Sequence, residues 1–297
     1  MKPKGITRRD FLRDGTSATL AGAFFLSLPK KLSAQSEKAT RVVLIRARDV
    51  LDDQNNLNGA VLSRMLDESV ATLLGEKEPL QAWKQLIKPS DIVGIKTNGW
   101  RNLRVPPELE QAINTRVKDA GVKEENISIR DGGVLKDPVF QKATALINAR
   151  PMRAHSFSGV GTCIKNYIQF IPNRSSMHPD GCADLASIWK LPIVQGKTRL
   201  NILVMLTPLF HTTGPRGFNP QYTWTYKGLL VGTDPVAVDA TGLRIIQSKR
   251  REYFGEERQL NPPAKHIQVA DTKYGLGTAD PEKIELIKLG WQEGVLI

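Results

Sequence analysis

The sequence predicts an α/β fold: a single domain on a mostly parallel or mixed central sheet flanked by helices. Three observations predict it. Short apolar runs alternate with segments of helical period, the pattern of strand–helix–strand units. Hydrophobic residues make up 40% of the 297, enough to build a sizeable core. No internal repeat or linker divides the chain after residue 34.

The elements follow in order. RVVLIRA (41–47) reads as the opening strand. NGAVLSRMLDESVATLLG carries Leu62, Met65, Leu66, Val70, Leu73 and Leu74 at helical spacing and stops at Gly75. DIVGIKTN (91–98) is a second strand behind the turn signal Pro89-Ser90. PPELEQAINTRVKDAG (106–121) opens on proline and closes on glycine, as helices do. ISIRDGG (127–133) is a third strand, and KDPVFQKATALINA (136–149) reads as a helix behind Asp137-Pro138. RLNILVML (199–206), GLLVG (228–232) and HIQVAD (266–271) continue the strand series, with helices over 235–248 and 280–288. Residues 151–198 show no strong period, and long aperiodic stretches inside compact domains tend to be functional loops.

The N-terminus carries the strongest local signal. Arg8-Arg9 stands in a T-R-R-x-F-L context, before a weakly apolar stretch from Gly15 to Leu28 and small residues at Ser33-Ala34. The apolar stretch falls short of the about 20 residues a membrane span needs. Together these features read as a twin-arginine export signal over residues 1–34, ahead of an α/β domain over 35–297. The implied partner is the twin-arginine translocase, and the implied location is the periplasm or another exported compartment. Leu32 is bulky for the third position before a cut, so cleavage near Ala34 and an uncleaved anchor both stay open. No later segment is apolar enough to span a membrane. The formal charge is +12, and about +7 remains outside the signal, a balance that suits anionic ligands. Lys249-Arg250-Arg251 lacks an aromatic platform or a known nucleic-acid motif, so nucleic acid is not an expected partner.

The chemistry-bearing residues fall in four places. Asp234, before Pro235, is placed to cap the following helix. A carboxylate at a strand end of an open sheet also lines the ligand crevice, and the two roles are compatible. Asp239 lies about 140° further round that helix, so the pair shares no face. Lys96 and Asn98 fall on one side of a strand end by the period-two rule and suit an anionic or carbonyl oxygen; a water-facing strand end is the plainer alternative. The stretch 159–185 holds Cys163, Lys165, Asn166, His178 and Cys182. His178 and Cys182, four apart, would make with Cys163 a thiolate–imidazole set for a transition metal, although Gly181 and the lack of CxxC spacing oppose it. In an oxidising compartment the two cysteines suit a disulfide instead. Arg216, in LFHTTGPRGF, is a candidate anion contact with its loop N–H groups, or belongs to a simple turn. His155, His211 and His266 stand isolated. There is no GxGxxG, Walker loop, GxSxG or HExxH.

The ordered landmarks DIVGIKTN, CIKNYIQF, MHPDGCADL, GPRG and GLLVGTDPVAVDA resemble the family known as domain of unknown function 362, across essentially the whole chain after the signal. The resemblance implies an α/β fold and little chemistry. Some members resemble iron–sulfur proteins through attached ferredoxin-type Cys motifs; this chain, with two cysteines, has none. Relatives tend to carry Asp-Gly before the GP-G loop, where this chain reads MLTPLF. Carried over by position, the candidates are Lys96, Asn98, Lys165, Asn166, His178, Asp234 and Asp239. The expectation is an exported protein that binds an anionic small molecule or a metal at the carboxyl ends of the strands. Lys165, His178 and Asp234 are its candidate catalytic groups. The rival is a non-catalytic periplasmic binding or partner-docking protein.

Overall fold

Eight strands form one mixed sheet in the computed structural model of the chain, which describes residues 39–212 and 217–297. The export signal and Arg216 lie outside the described residues. The chain opens with β1 (Thr40–Arg46), α1 (Gly59–Leu74), α2 (Pro79–Leu86) and β2 (Val93–Lys96). Asn58 caps α1 through the Val61 N–H, and Gly75 ends it in the left-handed region that glycine reaches at no steric cost. α3 (Pro107–Asp119), β3 (Ile127–Arg130) and the short α4 (Pro138–Lys142) follow.

Three stretches depart from the sequence expectation. The helix expected over 136–149 ends at Lys142, and β4 (Ala145–His155) takes over. β4 lies inside the sheet and is covered on both faces, so its residues are buried without alternation until His155. A strand of that kind leaves no period-two signal to read. Pro151 sits within it, where the pairing with β6 slips register between Pro151 and Arg153. A residue without an N–H is tolerated at such an irregularity. HIQVAD, expected as a strand, is the helix α8 (Lys265–Thr272), which buries His266, Ile267 and Ala270. Most of 280–288, expected as a helix, is the edge strand β8 (Ile284–Gly290), paired in parallel with β1.

The remaining elements are β5 (Gly159–Gly161), α5 (Cys163–Asn166), α6 (Pro179–Cys182), β6 (Thr198–Leu209), β7 (Gly228–Gly232) and α7 (Pro235–Phe254). The strand order is β3-β2-β4-β6-β7-β1-β8, with β5 paired on β4. β3, β2, β4 and β6 are parallel, and β7 runs antiparallel to both β6 and β1. One face buries Val43, Ile95, Ile147, Ile202 and Val231 with apolar residues of α1, α2 and α3. The other buries Leu44, Leu146, Leu203 and Leu230 with α7, α8 and the 160–194 stretch. Gly242 lets α7 sit close to the sheet, since a Cβ there would come within 2.5 Å of Leu203. Among the described residues no helix is long and apolar enough to cross a membrane.

Candidate functional site

β2 ends at Lys96, beside Asn148 of β4, and the polar residues of both strands meet α5. Lys96 Nζ donates to the Thr97 carbonyl, to Asp131 Oδ1 at 3.2 Å and to Asn166 Oδ1 at 3.3 Å. Asn98 Nδ2 reaches the same Asn166 oxygen at 3.5 Å, and Asn98 Oδ1 accepts from Arg153 at 3.0 Å. Asn166 Nδ2 donates to Asn148 Oδ1 at 2.8 Å. Asn148 donates to the Cys163 carbonyl and to Asn201 Oδ1, both at 3.0 Å, and Asn201 donates to the Thr233 carbonyl. The structure thus joins Lys96, Asn98 and Asn166 in one buried amide network. Their hydrogen-bonding atoms are largely spent on each other, so they form the floor of a site.

The cations around that floor are its distinguishing feature. Lys96 is 0% exposed, Arg150 4%, Arg153 6% and Lys165 4%. Buried charges are ordinarily paired, because an unpaired one has lost its hydration without compensation. Among the described residues only Lys96 has a carboxylate partner, Asp131. Arg153 lies over the Trp100 ring at 4.6 Å and also donates to the Leu103 carbonyl. Arg150 makes no hydrogen bond or ion pair among the described residues, and its Nε is buried without a partner. Lys165 Nζ has one contact, the Cys182 sulfur at 3.4 Å.

Burial pushes Lys96 and Lys165 down to about 8 and Arg150 down to about 10. Burial and the neighbouring Arg150 charge push Arg153 down as well. His155 falls to about 2, first through burial and then through the charges of Lys165, Arg150 and Arg153. It is therefore a neutral imidazole throughout the neutral range. The Arg150 charge acts on each of Lys96, Lys165 and Arg153, and that of Arg153 on Lys165. Arg150 pairs with Leu203 and Arg153 with Leu209 of β6, on either side of the register slip after Pro151. A cavity of about 360 Å³, lined by Trp100, Arg153, His155, Leu209 and Phe218, opens beside the cluster. A second, of about 500 Å³, adjoins it through Ala154, Ser156 and Thr212.

Asp239 does not face the cavities. Its two oxygens accept the N–H groups of Cys163 and Ile164 at 2.9 and 2.8 Å and so anchor α5, which carries Lys165 and Asn166. Burial raises its carboxyl to about 7. Asp234 caps α7 through the Val236 and Ala237 N–H groups and also accepts from Thr278 N–H at 2.9 Å. It touches none of Lys96, Lys165 or His178. Its strand β7 is reversed, so its end lies beside the early part of β6, at Asn201, whereas Arg153 and His155 stand at the far end of β4.

His178 stacks flat on Phe157, 4.6 Å between ring centres, and its pKa is lowered by burial and then by Lys165. Its carbonyl accepts the Cys182 N–H, so the two residues share one turn. The Cys182 thiol donates to the Phe157 carbonyl. Cys163 and Cys182 are both free and buried. Among the described residues no group of three or more His, Cys, Asp or Glu side chains is placed to hold a metal ion. Sequence reasoning missed Arg150, Arg153 and His155. The segment RPMRAH, with three basic groups in six residues, was the available signal, hidden by the misread strand β4.

No curated protein and no solved structure gives a significant match to this chain. A family model does match, from just past Lys96 into α7, a span that includes Asn98, Arg150, Arg153, Lys165, Asn166, His178, Asp234 and Asp239. The family it describes is Domain of unknown function (DUF362), and the match covers residues 97–244.

Proposed function

We propose that this protein is exported by the twin-arginine route and binds an anionic small molecule at the cation cluster of β4 and α5. One observation carries the binding reading: among the described residues the four buried cations share a single ion pair, and Arg150 makes no hydrogen bond or ion pair. Such an arrangement is costly in the empty protein and favourable once an anion is present. Arg150 and Arg153 hold the anion, because their guanidinium forks match carboxylate and phosphate oxygens. Lys165 adds a third charge. Lys96, Asn98 and Asn166 keep these groups in place. Trp100 and Phe218 give the neighbouring cavity an apolar wall for the organic part of the ligand.

Calorimetric titration with inorganic phosphate and with pyruvate tests the reading. At least one of the two anions binds, and Arg150→Met weakens it by about 10-fold or more, the worth of one charge-assisted hydrogen bond. Affinity falls as the pH rises through 8, where Lys96 loses its proton. Absence of binding by wild-type protein, or equal binding by Arg150→Met, removes the reading.

A further inference from the structure

Of the four cations, Lys165 is the one built differently. Arg150 and Arg153 cannot act as nucleophiles near neutral pH. Lys96 spends its N–H groups on the Thr97 carbonyl, Asp131 and Asn166. Lys165 is as buried as Arg150, yet no carboxylate faces it, and its one hydrogen-bond partner is a thiol sulfur. That thiol already donates to the Phe157 carbonyl, so towards Lys165 it is an acceptor. Around the ammonium stand Arg150 and Arg153 from β4, His155 at the end of β4, His178 beside α6 and His266 from α8; burial lowers its pKa most, the two arginines lower it further, and the Cys182 sulfur from α6 offsets part of this. A lysine desolvated among cations, its pKa lowered to about 8, gives up its proton more readily and so reaches the neutral amine, the nucleophilic form, near neutral pH.

The backbone of this partner turn is itself held in an unfavourable state. Asp180, Gly181 and Cys182 have φ of 49°, 64° and 63°, three successive residues in the left-handed region. For Asp180 and Cys182, which carry a Cβ, that conformation is sterically unfavourable. Such strain persists only where the surroundings over-determine it. Here it delivers the Cys182 sulfur to Lys165.

We propose that Lys165 forms an imine with the carbonyl carbon of a 2-oxo acid whose carboxylate is held by Arg150 and Arg153. The proposal rests on the anion-binding reading above and names its substrate class. In a 2-oxo acid the carbonyl lies one bond from the carboxylate, as an amine beside a carboxylate clamp requires. The neutral amine attacks the carbonyl carbon, the C–N bond forms, and the carbonyl oxygen leaves as water. Overall the ammonium form and the oxo acid give an iminium and water, with no net gain or loss of protons. The iminium keeps the positive charge on nitrogen, now adjacent to the bound carboxylate.

Borohydride trapping tests this on the full chain. The protein is incubated with pyruvate, reduced, and examined by intact mass and peptide mapping; acetone at the same concentration is the carbonyl without a carboxylate. We expect one reduced adduct, on Lys165, formed at least about 10-fold more with pyruvate than with acetone, since that ratio reports one charge-assisted contact. Lys165→Arg, which keeps the charge, abolishes it with an unchanged thermal unfolding midpoint. Should that variant be unstable, Lys165→Met takes its place. Pyruvate that binds in the calorimeter yet leaves Lys165 unmodified overturns the imine and leaves the anion site standing. So does phosphate binding with neither pyruvate binding nor trapping. Adducts spread over surface lysines, alike for pyruvate and acetone, also overturn it. If neither anion binds, both readings fall together.

Discussion

Asp239 has no access to solvent, and two backbone N–H groups, those of Cys163 and Ile164, depend on it. Burial raises its carboxyl from the ordinary 3.8 to about 7. Between those values the folded chain holds this proton and the unfolded chain does not. The group's contribution to stability is therefore fully present below the lower value and is lost as the pH rises through the higher one. Asp239→Asn removes the titration. Its amide can accept only one of the two N–H groups, so the variant loses about 1–3 kcal/mol at pH 5. Its stability also declines less than that of wild type between pH 5 and pH 7.5. Urea unfolding at the two pH values measures both effects, and a parallel decline in the two proteins would refute the assignment.

At the scale of elements, the corner from β7 into α7 shows what a local pattern reveals. Gly228–Gly232, then Asp-Pro, then an apolar run is a strand, a cap and a helix, and all three are present. Asp234→Ala should cost about 1–2 kcal/mol, the usual worth of an N-cap, through the lost α7 bonds. The Thr278 N–H loses its acceptor in the same variant. Anion affinity should not change, since Asp234 touches no residue of the cation cluster; a variant that binds phosphate or pyruvate more weakly would show the corner belongs to the site. What the pattern could not reveal is direction. A strand's orientation relative to its neighbours depends on pairing with residues far away in sequence, here Val42–Arg46 and Asn201–Met205. β7 runs against both, so the chain leaves β7 for Asp234 in the direction opposite to that in which β2 ends at Lys96. The same limit hid β4. Its burial on both faces comes from packing, and without alternation Ala, Asn and Arg beside Leu and Ile read as a helix.

For the whole molecule, the export reading concerns residues 1–34 and the fold concerns the rest. Replacing Arg8 and Arg9 together by Lys should leave the protein in the cytoplasm of a host with the twin-arginine route, while wild type is recovered from the periplasm. Equal distribution in cell fractions would sink the export proposal. Lys96, Asn98, Lys165 and Asn166 were legible as site candidates because polar residues stand out beside a strand end or a glycine-rich loop. Arg150 and Arg153 were not, because β4, the doubly covered strand that carries both, gave no alternation by which to read it.

The buried amides of Asn166, Asn148 and Asn201, ending on the Thr233 carbonyl, act as an alignment key cut across the sheet. Each tooth comes from a different element, α5, β4, β6 and the end of β7, and each fits only its neighbour's notch. A one-residue slide of any of these strands would point an amide at the wrong face and leave several buried dipoles facing hydrocarbon. Apolar neighbours tolerate such sliding far better. The key therefore fixes how far each strand is inserted: it sets Lys96, the tip of β2, level with Asn148 and so just short of Arg150 on β4.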